Sequence, residues 1–255
     1  MNASMTPTDT IAATSERSFM RKGYEIGYQL LSMSSDEENI IGDAILKNVP
    51  AISRLADVGC ADARLAERLL QDCNDFVIVE PNPILFSLAV SRLQGRCRVT
   101  ALNDVFPCDI GINDLIVFAH VLYHVDESQW IATFQQLRLG LAPGGVLAIA
   151  LWNRDSEARQ LALSHSGFDR WLCAFEDLER YGQALAEVGL VRCASDTLTP
   201  LIKPHSIPAA KAILEFLLGD GIQRVGHAII ERECRRLVET GLTNRQTLCF
   251  FRKAS

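Results

Sequence analysis

Residues 55–70 read LADVGCADARLAERLL, and residues 76–80, FVIVE, close a second apolar run on an acid. Ser53 to Val58 is short and mostly apolar, as a buried strand is. Gly59 to Ala63 are small enough for a tight turn. From Asp62 to Leu70, the side chains of Leu65, Ala66, Leu69 and Leu70 fall on one helical face. Phe76 to Glu80 reads as a second strand. A strand, a small-residue turn, a helix, a strand and a terminal carboxylate make the first half of a nucleotide-binding α/β sheet, in which the acid hydrogen-bonds a ribose.

The alternation continues outward. Asn82 and Pro83 form a cap and first-turn pair for a helix through Leu93. Arg98 to Leu102 and Asp114 to His120 predict the third and fourth strands. Asp126 caps a helix whose stripe is Trp130, Ile131, Phe134, Leu137 and Leu141, and Pro143-Gly144-Gly145 turns into a fifth strand, VLAIALW. Upstream, Phe19 to Ser32 has helical spacing. Ser35 with Asp36, Glu37 and Glu38 starts a helix that stops before Pro50. Downstream come a helix-prone stretch from Asp155 to Ser166, a helix from Phe175 to Val188 and a strand from Val191 to Leu201. Helices at Pro208–Leu218 and Ile222–Thr240 precede a last strand, Gln246 to Arg252. Short apolar strands alternating with amphipathic helices predict a mostly parallel sheet with helices on both faces. The expected organisation is a flexible tail over residues 1–18 and a single domain over 19–255. Within that domain, cap helices span 19–50, a ligand-binding core spans 51–154 and a helical lid spans 204–241.

The first turn discriminates between nucleotides. A dinucleotide fingerprint needs G-x-G-x-x-G, and here only Gly59 is in place. Ala61 and Ala63 impede a pyrophosphate, which needs bare backbone at the helix start. No G-K-[ST] follows, so the phosphate loop of nucleotide triphosphatases is absent. An adenosine ligand without phosphates tolerates the alanines.

Five segments in order carry a family resemblance: Asp57-Val58-Gly59-Cys60-Ala61-Asp62-Ala63, Glu80 in VIVEPNP, Asn103-Asp104-Val105, DLIVFAHVLYHV over residues 114–125, and LGLAPGGV over residues 139–146. Through them the chain resembles the class I S-adenosylmethionine-dependent methyltransferases over most of its length. It departs where alanine replaces the second and third glycines of the first motif. The resemblance implies a Rossmann-like seven-stranded sheet whose last two strands, the sixth and seventh, are antiparallel. It implies S-adenosyl-L-methionine as cofactor, contacted by Asp57, Gly59, Cys60, Ala61, Glu80, Pro81, Asn103, Asp104, Val105, Ala119 and His120. In that reading Glu80 accepts from the ribose diol, and Asp104 with the Val105 N–H meets the adenine. Asp57 also has a plain role as an organiser of loop amides, and Asp104 as a turn cap.

His120, Tyr123 and His124 gather at the carboxyl end of the fourth strand, where ligands approach open α/β sheets. Methyl transfer is an in-line displacement that needs proximity and water exclusion. A hydroxyl or ammonium acceptor also needs a base, and histidine suits that task. His120 and His124 are therefore the candidate catalytic residues, with packing against the next helix as the alternative for each. Tyr24 and Tyr28 share a helical face and, with Tyr123 and Trp152, are candidate acceptor-binding residues.

The net charge of −6 disfavours a phosphate-backbone partner, so no nucleic acid is expected. No run reaches the roughly 18 apolar residues of a membrane span, and residues 1–18 lack an apolar signal core. The eight cysteines show no C-x-x-C or zinc spacing, which predicts no metal and a reduced cytoplasmic protein. The expectation is transfer of a methyl group to an oxygen or nitrogen of a small molecule, with a homodimer possible. The alternatives are a methyltransferase of protein substrates, which needs an open groove, a donor-binding module without catalysis, and a nicotinamide enzyme.

Overall fold

Side chains alternate along the strands and divide the interior into two cores, as period-two pleating requires. The computed structural model describes residues 23–49, 51–70, 73, 75–166 and 173–254. The expected tail and the start of the first helix at Phe19 lie outside the described residues. Helices α1 (Tyr24–Met33) and α2 (Glu37–Asn48) lead into β1 (Arg54–Val58), α3 (Arg64–Leu69), β2 (Asp75–Val79), α4 (Pro83–Leu93) and β3 (Arg98–Leu102). Then come β4 (Asn113–Ala119), α5 (Trp130–Leu139), β5 (Leu141–Trp152), α6 (Glu157–Ser166), α7 (Phe175–Glu179), α8 (Gly182–Glu187), β6 (Leu190–Leu198) and β7 (Leu201–Ile202). The chain closes with α9 (Ile207–Leu218), α10 (His227–Thr240), β8 (Leu242–Thr243) and β9 (Gln246–Lys253).

The sheet runs β3-β2-β1-β4-β5-β9-β6. The first five strands are parallel, β9 is antiparallel to β5, and β6 is antiparallel to β9. Only β9 therefore opposes the rest, which corrects the expectation of two antiparallel strands. Ala56, Val58, Ile116, Phe118, Leu147 and Ile149 face α5 to α10. Leu55, Phe76, Ile78, Leu115, Val117 and Ala148 face α2, α3 and α4. Helices thus cover both faces, as the apolar runs predict.

Several boundaries differ from the pattern. Leu141 is not the last residue of the α5 stripe; it pairs with Asn113 and opens β5, with an irregularity beside the Pro-Gly-Gly segment. The stretch expected as one helix from Phe175 to Val188 is two short ones, broken at Arg180 and Tyr181. A 3₁₀ turn, Gly219–Arg224, separates α9 from α10, so the helix expected from Ile222 starts at His227. Asn82 caps α4 as expected, its Oδ1 accepting from the Ile84 and Leu85 N–H groups.

Strand order reverses direction about β1, between β2 and β4, and in open α/β sheets a crevice for ligands lies beyond the carboxyl ends of the strands there. The roof above that end is made from α1 and α9, which lie far apart in the chain. Helix α1 packs on α9, and a Cβ on Gly27 would stand 2.6 Å from Phe216 Cβ, so the two helices touch backbone to ring. A short β7–β8 ribbon ties this roof down, with Lys203 N–H donating to Ser34 O and Leu201 N–H to Asp36 Oδ1.

Candidate active site

Three residues of the first turn lie in the left-handed region, Gly59 (φ 73°), Ala61 (φ 49°) and Ala63 (φ 61°). Only Gly59 has a steric reason to be glycine, because a Cβ there would meet Val121 Cγ2 at 2.5 Å. The alanines take the strained geometry without a clash, which explains how the motif dispenses with its other glycines. This coil aims the Ala61 N–H at Glu80, whose Oε2 accepts it at 2.9 Å, while Oε1 accepts the Asn82 N–H at 2.8 Å. Glu80 is buried, and desolvation pushes its pKa up to about 7 despite those two amides. Each oxygen keeps a free lone-pair direction, so the carboxylate is oriented and still able to accept two hydroxyls.

Asp57 is also buried, and its pKa is raised to about 7, first by desolvation and then by the Glu80 charge. Its Oδ2 has no hydrogen-bond partner. A buried acceptor without a donor costs free energy. Two neighbouring acids of this kind suit a ligand that brings both hydroxyls and positive charge. S-adenosylmethionine carries a ribose diol, an ammonium and a sulfonium, so these residues fit it.

Beyond the end of β3, Asn103 donates through Nδ2 to the carbonyls of Glu80 and Pro81, at 2.7 and 3.2 Å, and pins the β3 loop to the β2 end. The Val105 N–H, expected on a ring nitrogen, donates to Asp104 Oδ1 at 2.7 Å. Asp104 thus caps its own turn. Cys60 and Ala61 are buried, and Ala119 is half-buried at the β4 end. Behind the turn, Arg92 of α4 donates to both the carbonyl and the carboxylate of Asp62, at 2.7 and 2.9 Å. Nothing in the local sequence marks Arg92 as the support of this loop.

The other half of the site is a line of buried polar groups. His120 (φ 58°) still donates its backbone N–H to Ala150 O. Its Nδ1 is 3.0 Å from Tyr123 Oη, which accepts the Trp152 N–H at 2.6 Å. Its Nε2 stands 2.5 Å from Glu37 Oε1. Burial would raise the Glu37 pKa, but the nearby His120 and the side chains bonded to it, Asn244 among them, hold it below the usual range. Asn244 Nδ2 donates to Glu37 Oε2 at 2.8 Å, and Ser156 Oγ donates to Asn244 Oδ1 at 3.0 Å. The His120, Tyr123 and Trp152 rings cluster with centroids 5.3 to 6.0 Å apart.

His120 therefore has a partner at each nitrogen, and a role as base would require one of them to leave. His124 sits in a 3₁₀ turn where burial lowers its pKa to about 4, which keeps it neutral and makes it a weak base. Glu37 was legible in sequence only as a first-turn acid of α2; its approach to His120 is tertiary. Tyr24 and Tyr28 both face Phe216 of α9, with centroids 5.0 and 6.2 Å away. Burial, then the charges of Glu38 and Asp62, push the Tyr28 phenol well up.

The methyltransferase domain family model matches residues 33–192, more than half of the chain, and the chain belongs to that family, the class I S-adenosylmethionine-dependent methyltransferases. A trans-aconitate 2-methyltransferase of Rhizobium etli is 26% identical over 204 residues, covering 73% of this chain and 76% of its own. The 1,6-didemethyltoxoflavin-N1-methyltransferase of Burkholderia thailandensis, solved with its substrate and S-adenosylhomocysteine, aligns with a TM-score of 0.61 at 13% identity, covering all of this chain and 94% of its own. The N-methyltransferase NodS of Bradyrhizobium japonicum aligns at 0.54 and 16% identity over 86% of this chain and 96% of its own. At those identities the two structures show the shared fold. Among the described residues no cluster of His, Cys, Asp and Glu suits a metal ion, and no helix is long and apolar enough to cross a membrane.

Proposed function

We propose that this methyltransferase moves a methyl group from S-adenosylmethionine to an oxygen or nitrogen of a small molecule enclosed beneath α1 and α9. The observation that carries the donor half is Glu80, buried, held by two backbone amides and still able to accept. The donor supplies an electrophilic methyl on sulfur. The chain's own residues bind, align and exclude water around it. Glu80 takes the ribose diol, and Gly59, Cys60 and Ala61 leave room for the methionyl portion beside Asp57. Pro81, Asn103, Asp104 and Val105 border the adenine, and Ala119 and His120 flank the sulfonium. Tyr24, Tyr28, Tyr123 and Trp152 line the acceptor side. His120, clamped by Glu37 and Tyr123, is a positioning residue in this reading. Alignment of the two reacting atoms supplies most of the acceleration.

The small-molecule acceptor is supported by the roof, which covers a site a protein segment would need open, and by the small acceptors named for the relatives. All eight cysteines are free thiols, which supports a reducing cytoplasmic setting. Calorimetry is the direct check: S-adenosylhomocysteine is expected to bind with micromolar affinity and NAD not at all. Binding of NAD in place of S-adenosylhomocysteine would overturn the donor assignment.

A further inference from the structure

We propose that Gln246 and Trp152 select the acceptor, and that they hold a neutral molecule by a carboxamide or lactam edge. This rests on the donor-binding reading above.

Strand pairing brings the two side chains together. The Asn153 N–H donates to Arg245 O at 3.0 Å, which makes these residues a hydrogen-bonded pair of the antiparallel β5–β9 ladder. The next pair, Trp152 opposite Gln246, is then of the closer kind, with Cα atoms about 4.5 Å apart. Residues directly opposite one another share a face of the sheet. Trp152 ends β5 and Gln246 begins β9, so both stand at the edge of the sheet where the crevice lies. A second set of contacts joins the same two residues. The Trp152 and His120 ring centroids are 6.0 Å apart, His120 Nε2 meets Glu37 Oε1, and Gln246 stands beside Glu37 and helps hold its pKa down.

Three polar atoms of this pair are unmatched. Trp152 Nε1, Gln246 Nε2 and Gln246 Oε1 are buried without a hydrogen-bond partner, on side chains that are 9% and 0% exposed. Their buried neighbours are matched: Thr247 Oγ1 donates to Asn153 Oδ1 at 2.9 Å, and Ser156 Oγ to Asn244 Oδ1 at 3.0 Å. A buried amide left unmatched at both ends costs the fold free energy, which a ligand can return. Two donors and one acceptor define what that ligand must offer. One amide offers all of it. Its carbonyl oxygen has two lone pairs, for Gln246 Nε2 and Trp152 Nε1, and its N–H donates to Gln246 Oε1.

Charge excludes the ionic alternatives. Glu37 keeps an ionised carboxylate at the wall of this space, so an anion there is repelled. A cation would face two N–H donors and a single acceptor. A neutral planar group meets neither penalty, and the His120, Tyr123 and Trp152 rings supply the flat surface beside it.

The test is titration of the protein saturated with S-adenosylhomocysteine. The probes are benzamide, 2-pyridone and 2-quinolone, each set against its fully N-methylated form, which lacks the N–H. Benzoate is the anionic control. At least one amide should bind ten times more tightly than its N-methylated form and than benzoate. Gln246→Leu should weaken that amide at least tenfold and Trp152→Phe at least threefold, while S-adenosylhomocysteine affinity stays within twofold. The Gln246→Leu protein should also melt no lower than wild type, because it loses a buried amide that the fold leaves unmatched. The proposal is overturned if no amide outbinds its N-methylated form, if benzoate outbinds all three, or if Gln246→Leu leaves the preference intact. A Gln246→Leu protein that melts well below wild type would also overturn it, by assigning the amide to the fold. Failure of the wild-type protein to bind S-adenosylhomocysteine would instead remove the donor reading itself.

Discussion

At the scale of the residue, Glu80 and Gly59 have unlike roles in the proposed donor site. Glu80 must be ionised to accept two hydroxyls, and burial sets its pKa at about 7. S-adenosylhomocysteine affinity is therefore expected to rise as pH goes from 6 to 8, and Glu80→Ala to weaken binding at least tenfold at pH 8. Isothermal titration at the two pH values checks both, and a pH-independent affinity would mean that the ribose lies elsewhere. Gly59→Ala combines a left-handed backbone with a Cβ 2.5 Å from Val121 Cγ2. A strained φ costs about 1–2 kcal/mol before any clash is counted, so a loss of roughly 2–3 kcal/mol is expected in denaturant unfolding, together with weaker donor binding. Ala61 and Ala63 share the backbone region without the clash. That difference is why the alanines depart from the family pattern without breaking it, and why a pattern of glycines alone reads this turn imperfectly.

At the scale of the element, the roof depends on Gly27. Its missing side chain lets α1 approach α9 until Phe216 Cβ and the Ala212 carbonyl fill the space where a Cβ would go. Gly27→Val is expected to push the helices apart, lower the melting temperature and speed release of S-adenosylhomocysteine several-fold, as stopped-flow displacement would show. Unchanged release would mean that the roof does not hold the donor in. The strands and α4 were legible because apolar runs and the Asn82-Pro83 cap are local signals. The break at Arg180 and Tyr181 was not, since helical propensity runs through it and the turn is set by packing: the Tyr181 and Trp130 ring centroids stand 5.2 Å apart. The start of β5 at Leu141 was hidden for a similar reason. Pro143-Gly144-Gly145 reads as a turn, yet pairing with β4 draws the residues before it into the sheet.

At the scale of the whole molecule, the donor half was readable because its parts lie within the βαβ unit, whereas the polar line through Glu37, His120 and Asn244 joins three distant segments that only the folded sheet brings together. That assembly leaves a net electrostatic cost. Half-buried Glu38 and buried Asp57 and Glu80 are acids with raised pKa values, about 6, 7 and 7, each chiefly through desolvation. The native state therefore holds protons that the unfolded chain has released by about pH 5, because unfolded carboxyls titrate near 4. With more protons bound in the native state, stability falls as pH rises from about 4.5 to about 7 and levels off above that. Each fully shifted group contributes up to about 1.4 kcal/mol per pH unit across its window. For a domain of this size that is several degrees in melting temperature between pH 5 and pH 7.5. Glu37, whose pKa is lowered, acts in the opposite sense and only at more acidic pH. Asp57→Asn removes one of the three charges, so it should flatten the decline and leave the variant more stable than wild type at pH 8, with the advantage shrinking toward pH 5. Saturating S-adenosylhomocysteine should recover part of the loss in the wild-type protein, because it matches the acids with hydroxyls and an ammonium. Calorimetric melts across that range test both expectations; a melting temperature independent of pH would mean that water reaches Asp57 and Glu80 freely, and the crevice would then be open to solvent at its floor.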